Sequence, residues 1–222
     1  MNFEKNDVYF HANIDYNISV KGVVYMNAQE KLSELAERRH GILKTSDVVA
    51  AGISKATFSA YLKKNGYEKA SHGIYCAPDA WEDRMYLLQL RCPKVIFSHE
   101  TALFLHDLTD QEPLHYSVTV QTGYNPAHLT AEGIQVYTVK QSLLSLGKTE
   151  WLTPFGNSVQ IYDLERTICD VVRSRNSLEA RTLHDALRQY TRRRDKNLLR
   201  LMEYAEQLRV QTVLRQYLEV LL

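Results

Sequence analysis

Residues Leu43–Pro78 read LKTSDVVAAGISKATFSAYLKKNGYEKASHGIYCAP, and their spacing predicts two short helices followed by a β-hairpin. The small polar residues 45–47 stand directly before an apolar run that Gly52 closes, which is typical of a capped helix. Ser54 offers the N-cap of a second helix, and Asn65-Gly66 ends that helix. Two short helices joined by a glycine-containing turn match the helix-turn-helix motif.

The hairpin makes the prediction more specific. Tyr67–Ser71 and Ile74–Ala77 are strand-like runs, and His72-Gly73 places a glycine at the turn between them. A hairpin directly after the second helix is the wing of a winged helix-turn-helix. We therefore predict an α+β protein that begins with this module and continues in a mixed C-terminal domain with a small β-sheet and a helical end.

The periodicity of the second helix predicts which of its faces is free. Phe58, Tyr61 and Leu62 share one side at helical spacing and are predicted to point inward. The hydroxyl and lysine side chains suit DNA, because hydroxyls bond base edges and phosphates while lysines neutralise phosphate. For any single lysine, an ordinary solvated helix face is the alternative. The predicted DNA-binding residues are Lys55, Thr57, Ser59, Lys63 and Lys64 on the helix and Lys69, Ser71 and His72 on the wing.

Charge is unevenly distributed along the chain of 222 residues, although the net charge is only +1. Residues 27–77 carry eight Lys/Arg against five Asp/Glu, residues 78–145 four against eight, and residues 146–222 thirteen against ten. Two basic ends thus flank an acidic middle. This pattern suits a small DNA-binding module joined to a body with a second basic surface, but it does not establish nucleic-acid binding by itself.

The cysteine pattern argues against a metal site. Cys76, Cys92 and Cys169 are far apart and lack the CxxC or Cys/His spacing of zinc ligands, so buried free thiols in a reducing cytoplasm are expected. No apolar run approaches the ~18 residues of a membrane span. The start MNFEKNDVYFH lacks the apolar core of a signal peptide. A cytoplasmic protein without metal or cofactor is predicted.

The predicted domains are 1–25, 26–79 and 80–222. Residues 1–25 are expected to be a poorly ordered leader, or not to be translated naturally. Lys21-Gly22 corresponds to a purine-rich codon run resembling a bacterial ribosome-binding site, which makes Met26 the expected natural start.

The C-terminal domain is predicted to combine a small sheet with a helical end. Residues 116–121 and 134–139 alternate apolar and polar side chains, which predicts half-buried strands, and a hairpin is predicted within 150–162. The connection 122–133 is predicted to be a loop, and the chain is predicted to be helical from residue 163 onward. The predicted N-caps of the helices in this domain are Ser98, Asp163, Ser177 and Asp195.

Two groups of residues invite a catalytic interpretation. Ser98-His99-Glu100 are neighbours in sequence, and adjacent helical residues do not face one another, so a cap followed by first-turn polar residues is the favoured account. Asp163, Glu165 and Asp170 could form a carboxylate cluster of a nuclease or nucleotidyltransferase. However, Glu165 and Asp170 fall nearly opposite on the helix, which favours a capping Asp and an internal Glu–Arg arrangement.

One basic surface is predicted on the helix 178–194. Ala180, Leu183, Leu187 and Tyr190 define its buried side, and Arg181, Arg188 and Arg192 fall within a ~40° arc opposite. Arg193 extends this charge past the helix end. Guanidinium groups suit phosphate because they donate two parallel hydrogen bonds. A solvated face with i, i+4 ion pairs is the alternative.

The order of these elements resembles the AbiEi-type antitoxins of bacterial abortive-infection, or type IV toxin–antitoxin, systems. The resemblance covers roughly residues 27–222, and its most specific parts are Gly73-Ile74-Tyr75, Ser98–Ala102 and Asp163–Thr167. It implies a transcriptional regulator whose winged domain represses its own operon by binding inverted repeats in the promoter. It also implies a C-terminal domain that counters a nucleotidyltransferase-like toxin, with which no stable complex is needed.

The expected function is therefore that of an antitoxin and autorepressor without enzymatic activity or membrane association. Two alternatives remain open from the sequence. One is a nucleic-acid enzyme that uses the acidic residues near 163–170, and the other is an adaptor that binds the toxin directly.

Overall fold

A computed structural model describes residues 26–221, which fall into two compact units that divide between Ala80 and Trp81. The predictions for residues 1–25 lie outside the described residues. Both units mix helices with a small β-sheet, and the second ends in helices, so the predicted α+β class is confirmed. Within 26–221, no helix combines the length and apolar character needed to cross a membrane.

Within residues 26–80, the first unit contains three helices and a three-stranded antiparallel sheet in the order β1-β3-β2. The sequence does not predict β1, because three residues are too few to show a strand period. Its elements are α1 (Ala28–Glu37), β1 (Ile42–Lys44), α2 (Thr45–Ala50), α3 (Lys55–Lys64), β2 (Glu68–Ser71) and β3 (Ile74–Cys76).

The cap of α3 is confirmed and that of α2 is corrected. The Ser54 hydroxyl accepts a hydrogen bond from the Thr57 backbone N–H, and the last helical residue before Asn65 is Lys64. By contrast, α2 begins at Thr45 and has Lys44 in the N-cap position without a side-chain cap bond. The reason is that β1 runs directly into α2, so the polar residues 45–47 lie in its first turn.

The second unit is built on a five-stranded sheet in the order β6-β5-β4-β8-β7. The pairs β4–β8 and β5–β6 are parallel, and the other two pairs are antiparallel. Its strands are β4 (Ile96–Phe97), β5 (Ser117–Gln121), β6 (Gln135–Val139), β7 (Lys148–Leu152) and β8 (Ser158–Tyr162). Its helices are α4 (Arg84–Arg91), α5 (His99–Leu105), α6 (Ala127–Thr130), α7 (Gln141–Leu144), α8 (Leu164–Arg173), α9 (Ala180–Arg192), α10 (Leu198–Gln207) and α11 (Gln211–Leu221).

The strand β5 is not half-buried as predicted. Its residues 117–120 are all buried, because β5 is an interior strand with covering elements on both faces. Val118 and Val120 belong to the apolar core with α4 and α6, while the opposite face carries Ser117 and Thr119. The Ser117 hydroxyl donates to Glu100, and the Thr119 hydroxyl donates to Ser98, so both buried polar groups are bonded. The predicted loop 122–133 also contains the one-turn helix α6.

The helical end packs around α8, whose residues 164–172 are all buried. The Asp163 cap is confirmed, since its carboxylate accepts from the Arg166 backbone N–H at 2.8 Å. The Ser177 cap is wrong, because that hydroxyl donates to the Ser174 carbonyl and α9 starts later. The Asp195 cap is also wrong, because Asn197 caps α10.

Candidate nucleic-acid interface

The helix α3 displays its predicted polar residues to solvent. Phe58 is buried, Tyr61 and Leu62 are half-buried, and the opposite surface is open. The Thr57 hydroxyl is partly engaged, because it lies 2.8 Å from the Ser54 hydroxyl at the cap. The exposed predicted residues on this helix are Lys55, Thr57, Ser59, Lys63 and Lys64.

The surface of α3 opposite Phe58 includes two residues that were not predicted to bind DNA. At about 100° per residue, Ala56, Ala60 and Lys63 lie most nearly opposite Phe58, and all three are exposed. Lys55 stands three residues before Phe58 and therefore lies at the flank of this face. The alanines carry no hydrogen-bonding side chain, yet small residues at the centre of this face let the helix approach another surface closely.

The hairpin β2–β3 presents two of its three predicted residues. Lys69 and His72 are exposed, whereas Ser71 is half-buried and its hydroxyl oxygen is buried without a hydrogen-bond partner among the described residues. Gly73 makes the turn with φ +71°, and its carbonyl accepts the Thr45 backbone N–H at 2.8 Å. The Ser71 hydroxyl therefore reaches a nucleic acid only if its side chain rotates.

Contacts within the first unit fix the orientation of α3. The Phe58 ring packs edge-on against Tyr75 of β3 with ring centroids 5.4 Å apart. The Tyr61 hydroxyl lies 3.1 Å from the Ser33 hydroxyl of α1. Arg39 forms an ion pair with Asp47 of α2, with Nη2 2.5 Å from Oδ2. These contacts with α1 and β3 fix the direction in which the exposed face of α3 points.

The arginines of α9 do not behave alike. Arg188 and Arg192 are exposed and form no ion pair with a described residue, while Arg181 has a 90% exposed side chain whose Nε lies 3.5 Å from Asp185. Arg193 is half-buried: it is bonded to Asp195 through Nε and Nη2, and its Nη1 donates to the His106 carbonyl at 2.8 Å. Arg193 therefore anchors the end of α9 and does not extend an open basic surface as predicted.

The predicted burial of α9 also needs one correction. Ala180 is exposed because it is the first residue of the helix, while Leu183, Leu187 and Tyr190 are buried as predicted.

Comparisons with known proteins bear on the first unit most directly. Residues 30–78 match the family model described as "Transcriptional regulator, AbiEi antitoxin". The resemblance seen in the sequence is confirmed over this AbiEi-matching segment, which includes α3 and the hairpin. No protein with a curated function matches the chain.

A solved structure shares the fold over much of the chain. It is the crystal structure of the RV2827C protein from Mycobacterium tuberculosis, with a TM-score of 0.53 and 15% sequence identity. The alignment covers 81% of this chain and 71% of that one. At this identity, the similarity concerns the fold alone.

The three carboxylates considered as a possible catalytic cluster, Asp163, Glu165 and Asp170, each bind a different group. Asp163 caps α8 and accepts the Tyr204 hydroxyl at 3.2 Å. Glu165 accepts the backbone N–H of Asn197 at 2.9 Å, and Asp170 pairs with Arg166 at 3.0 Å. Among residues 26–221, no three His, Cys, Asp or Glu side chains form a group that could hold a metal ion. The predicted capping Asp is confirmed, whereas the predicted Glu–Arg arrangement within α8 is wrong, because Arg166 pairs with Asp170 and not with Glu165. The three carboxylates therefore bind different groups.

The Ser98-His99 pair departs from the predicted cap. Ser98 occupies the N-cap position of α5 without a side-chain cap bond, and its Oγ lies 3.0 Å from His99 Nδ1. Adjacent residues meet here because His99 has φ +49°, outside the helical geometry assumed in the prediction.

Two further contacts hold the His99 ring in place. Its Nε2 lies 3.1 Å from the Ser174 hydroxyl, and its ring stacks on Tyr137 with centroids 3.4 Å apart. Burial lowers the pKa of His99 to about 3, so the ring is neutral at physiological pH. No carboxylate contacts either ring nitrogen among the described residues, so the pair lacks the third member of a catalytic relay.

Proposed function

We propose that this protein is the antitoxin of a bacterial type IV toxin–antitoxin system and represses its own operon by binding inverted-repeat promoter DNA. Residues 26–79 act as a winged helix-turn-helix, and residues 80–222 act as the antitoxin domain. The observation that carries the proposal is the exposed lysine and hydroxyl face of the Ser54-capped α3, beside an antiparallel hairpin, within the AbiEi-matching segment.

The geometry supports a division of roles on DNA. The helix α3 enters the major groove, where Ala56 and Ala60 permit close approach and Ser59 reaches base edges. Lys63 and Lys64 neutralise phosphates beside the groove, and exposed residues of the hairpin contact the adjoining backbone. In this proposal, the partners are promoter DNA and a nucleotidyltransferase-like toxin in the cytoplasm. The protein needs no cofactor and catalyses no reaction.

The salt dependence of operator binding tests the lysines of α3. Replacing Lys63 with alanine is expected to weaken binding and to reduce the slope of log K against log[salt] by about 0.9, because one phosphate contact is lost. Lys55→Ala is expected to have the same effect, because the exposed Lys55 side chain is long enough to reach phosphate from the flank of this face. Fluorescence titration of the full-length protein with the promoter DNA upstream of its gene measures both the affinity and the slope.

A matched control is available in Lys31→Ala, which removes the same charge from an exposed position on α1. Its slope should equal that of the unsubstituted protein. An unchanged slope for Lys63→Ala would show that Lys63 does not contact phosphate, and it would contradict the proposed binding of α3 to DNA.

The exposed arginines of α9 are proposed to act against the toxin. Replacing Arg181, Arg188 and Arg192 together with alanine is expected to abolish most protection of toxin-expressing cells while leaving operator affinity within about twofold, since α9 lies outside the AbiEi-matching segment. Colony counts after toxin induction and operator titration give the two measurements.

Arg215→Ala serves as the control, because Arg215 is an exposed arginine of α11 outside this face. Full protection by the triple variant at equal protein level would show that the arginine face has no part in neutralisation. Co-purification of the toxin with the protein would instead favour direct binding by an adaptor.

A further inference from the structure

A pocket of about 750 Å³ lies in the second unit, beside the polar face of the five-stranded sheet. Ile96 of β4, Gln160 of β8 and Gln121 at the end of β5 line its floor, and Leu144 of α7 lines one side. Pockets that hold small organic ligands typically measure about 300–1,000 Å³. The volume is therefore sufficient for a ligand the size of a nucleotide.

The charge of the pocket is positive. Lys94 and Lys148 line it, and none of its lining residues is Asp or Glu. Both lysines are exposed, and neither forms an ion pair with a residue in the described part of the chain. Two uncompensated ammonium groups on one concave surface favour an anion with several oxygen atoms, such as a phosphate or polyphosphate.

The remaining polar groups suit a planar ring with hydrogen-bonding edges. The side-chain amides of Gln121 and Gln160 make no hydrogen bond with another described residue, although each carries two donors and one acceptor. Tyr124 also lines the pocket; its hydroxyl lies 3.3 Å from His128 Nε2, and its side chain packs in part against the apolar core. Aromatic side chains stack on nucleobases, and amides bond their edges.

We propose that this pocket binds a nucleoside phosphate, with Lys94 and Lys148 on the phosphates and Gln121, Gln160 and Tyr124 at the base. Two kinds of ligand present a nucleoside phosphate: a free nucleotide and the terminal nucleotide of an RNA strand. The site belongs to the second unit and shares no residue with the proposed DNA-binding residues of the first unit, so its test does not depend on operator binding.

Isothermal titration of the full-length protein tests the site with ATP, GTP, CTP, UTP, a five-nucleotide RNA and inorganic tripolyphosphate as separate probes. At least one nucleotide or the RNA is expected to bind saturably, with tripolyphosphate at least tenfold weaker. Lys94→Ala and Lys148→Ala are each expected to raise the Kd about tenfold, because each removes a charge-assisted contact. Tighter binding of the RNA than of all four nucleotides would identify the end of an RNA strand as the ligand.

Lys140→Ala is the matched control, because Lys140 is an exposed lysine of the same unit that does not line the pocket. Its Kd should stay within about twofold of the unsubstituted value. Absence of saturable binding by every probe at about 1 mM would overturn the proposal. Tripolyphosphate binding as tightly as the nucleotides, or equal losses in Lys140→Ala and Lys148→Ala, would also overturn it.

Discussion

Replacing Arg166 with methionine is expected to lower the free energy of unfolding of the second unit by about 3–5 kcal/mol, because the change leaves a buried carboxylate without its partner. The Arg166 side chain is fully buried, and its Nε donates to Asp170 at 3.0 Å. Its Nη1 donates to the carbonyls of Leu143 and Leu146, both at 2.8 Å. Its guanidinium carbon lies 4.1 Å from the ring centroid of Tyr162.

Urea denaturation followed by tryptophan fluorescence measures this loss directly. Both tryptophans of the chain, Trp81 and Trp151, lie in the second unit, so the signal reports on the part of the protein that contains Arg166. Arg181→Ala provides the contrast, because an ion pair with a 90% exposed arginine contributes little. Its expected cost is below about 0.5 kcal/mol.

A double variant separates the charge from the packing. Arg166→Met combined with Asp170→Leu removes both members of the pair, and much of the lost stability should return, since apolar residues often replace a buried ion pair at little cost. A single Arg166→Met variant as stable as Arg181→Ala would contradict the structural role assigned to the pair.

The pH dependence of the Arg166→Met variant follows from the same contact. Burial raises the pKa of Asp170, while Arg166 opposes that rise. Without the arginine, the pKa of Asp170 in the folded state rises further, so this carboxyl is protonated at low pH and its destabilising contribution to the variant grows as pH rises through that pKa. The deficit relative to the unsubstituted protein should therefore be smaller at about pH 5 than at about pH 8.

The first unit was more accessible to sequence reasoning because its signals are local. Ser54 stands beside the helix that it caps, and Gly73 stands within the turn that it forms, so neither requires knowledge of the tertiary structure. The strand β1 is not predicted because it is too short to show a strand period, and its pairing partner, β3, lies about 30 residues away in sequence. The direction of the Ser71 hydroxyl was likewise decided by packing, and no sequence period indicates it.

In the second unit, several polar residues have partners that are distant in sequence and that local sequence patterns do not predict. Thr119 and Ser117 looked solvent-facing because they alternate with valines, yet each donates to a residue of the segment 98–100. Arg193 looked like part of a charged helix face, yet it bonds a carbonyl 87 residues earlier. The proposed nucleotide pocket collects residues from four strands and several loops. Such groupings depend on strand order and helix placement, which amino-acid periodicity does not specify.

A glycine close to Arg166 gives the second large effect, and Gly147→Ala is expected to destabilise the second unit by about 3 kcal/mol. Gly147 has φ +70°, which costs an L-residue about 1–2 kcal/mol. A Cβ at this position would lie 2.5 Å from the Arg166 Cβ and 3.0 Å from an Asp163 carboxylate oxygen. The Gly147 carbonyl also accepts the Asp163 backbone N–H at 2.7 Å, so the glycine cannot withdraw without loosening the start of α8.

Gly123→Ala isolates the part of this cost that comes from backbone strain. Gly123 lies in the same unit with φ +92°, and a Cβ there would meet no heavy atom within 4 Å. Its expected cost is only about 1 kcal/mol, because a lower unfolded-state entropy offsets some of the strain. Urea denaturation under the conditions used for Arg166→Met compares the two glycines. Equal losses would mean that α8 accommodates the added methyl group, whereas a larger loss at Gly147 measures how firmly Arg166 and Asp163 are fixed.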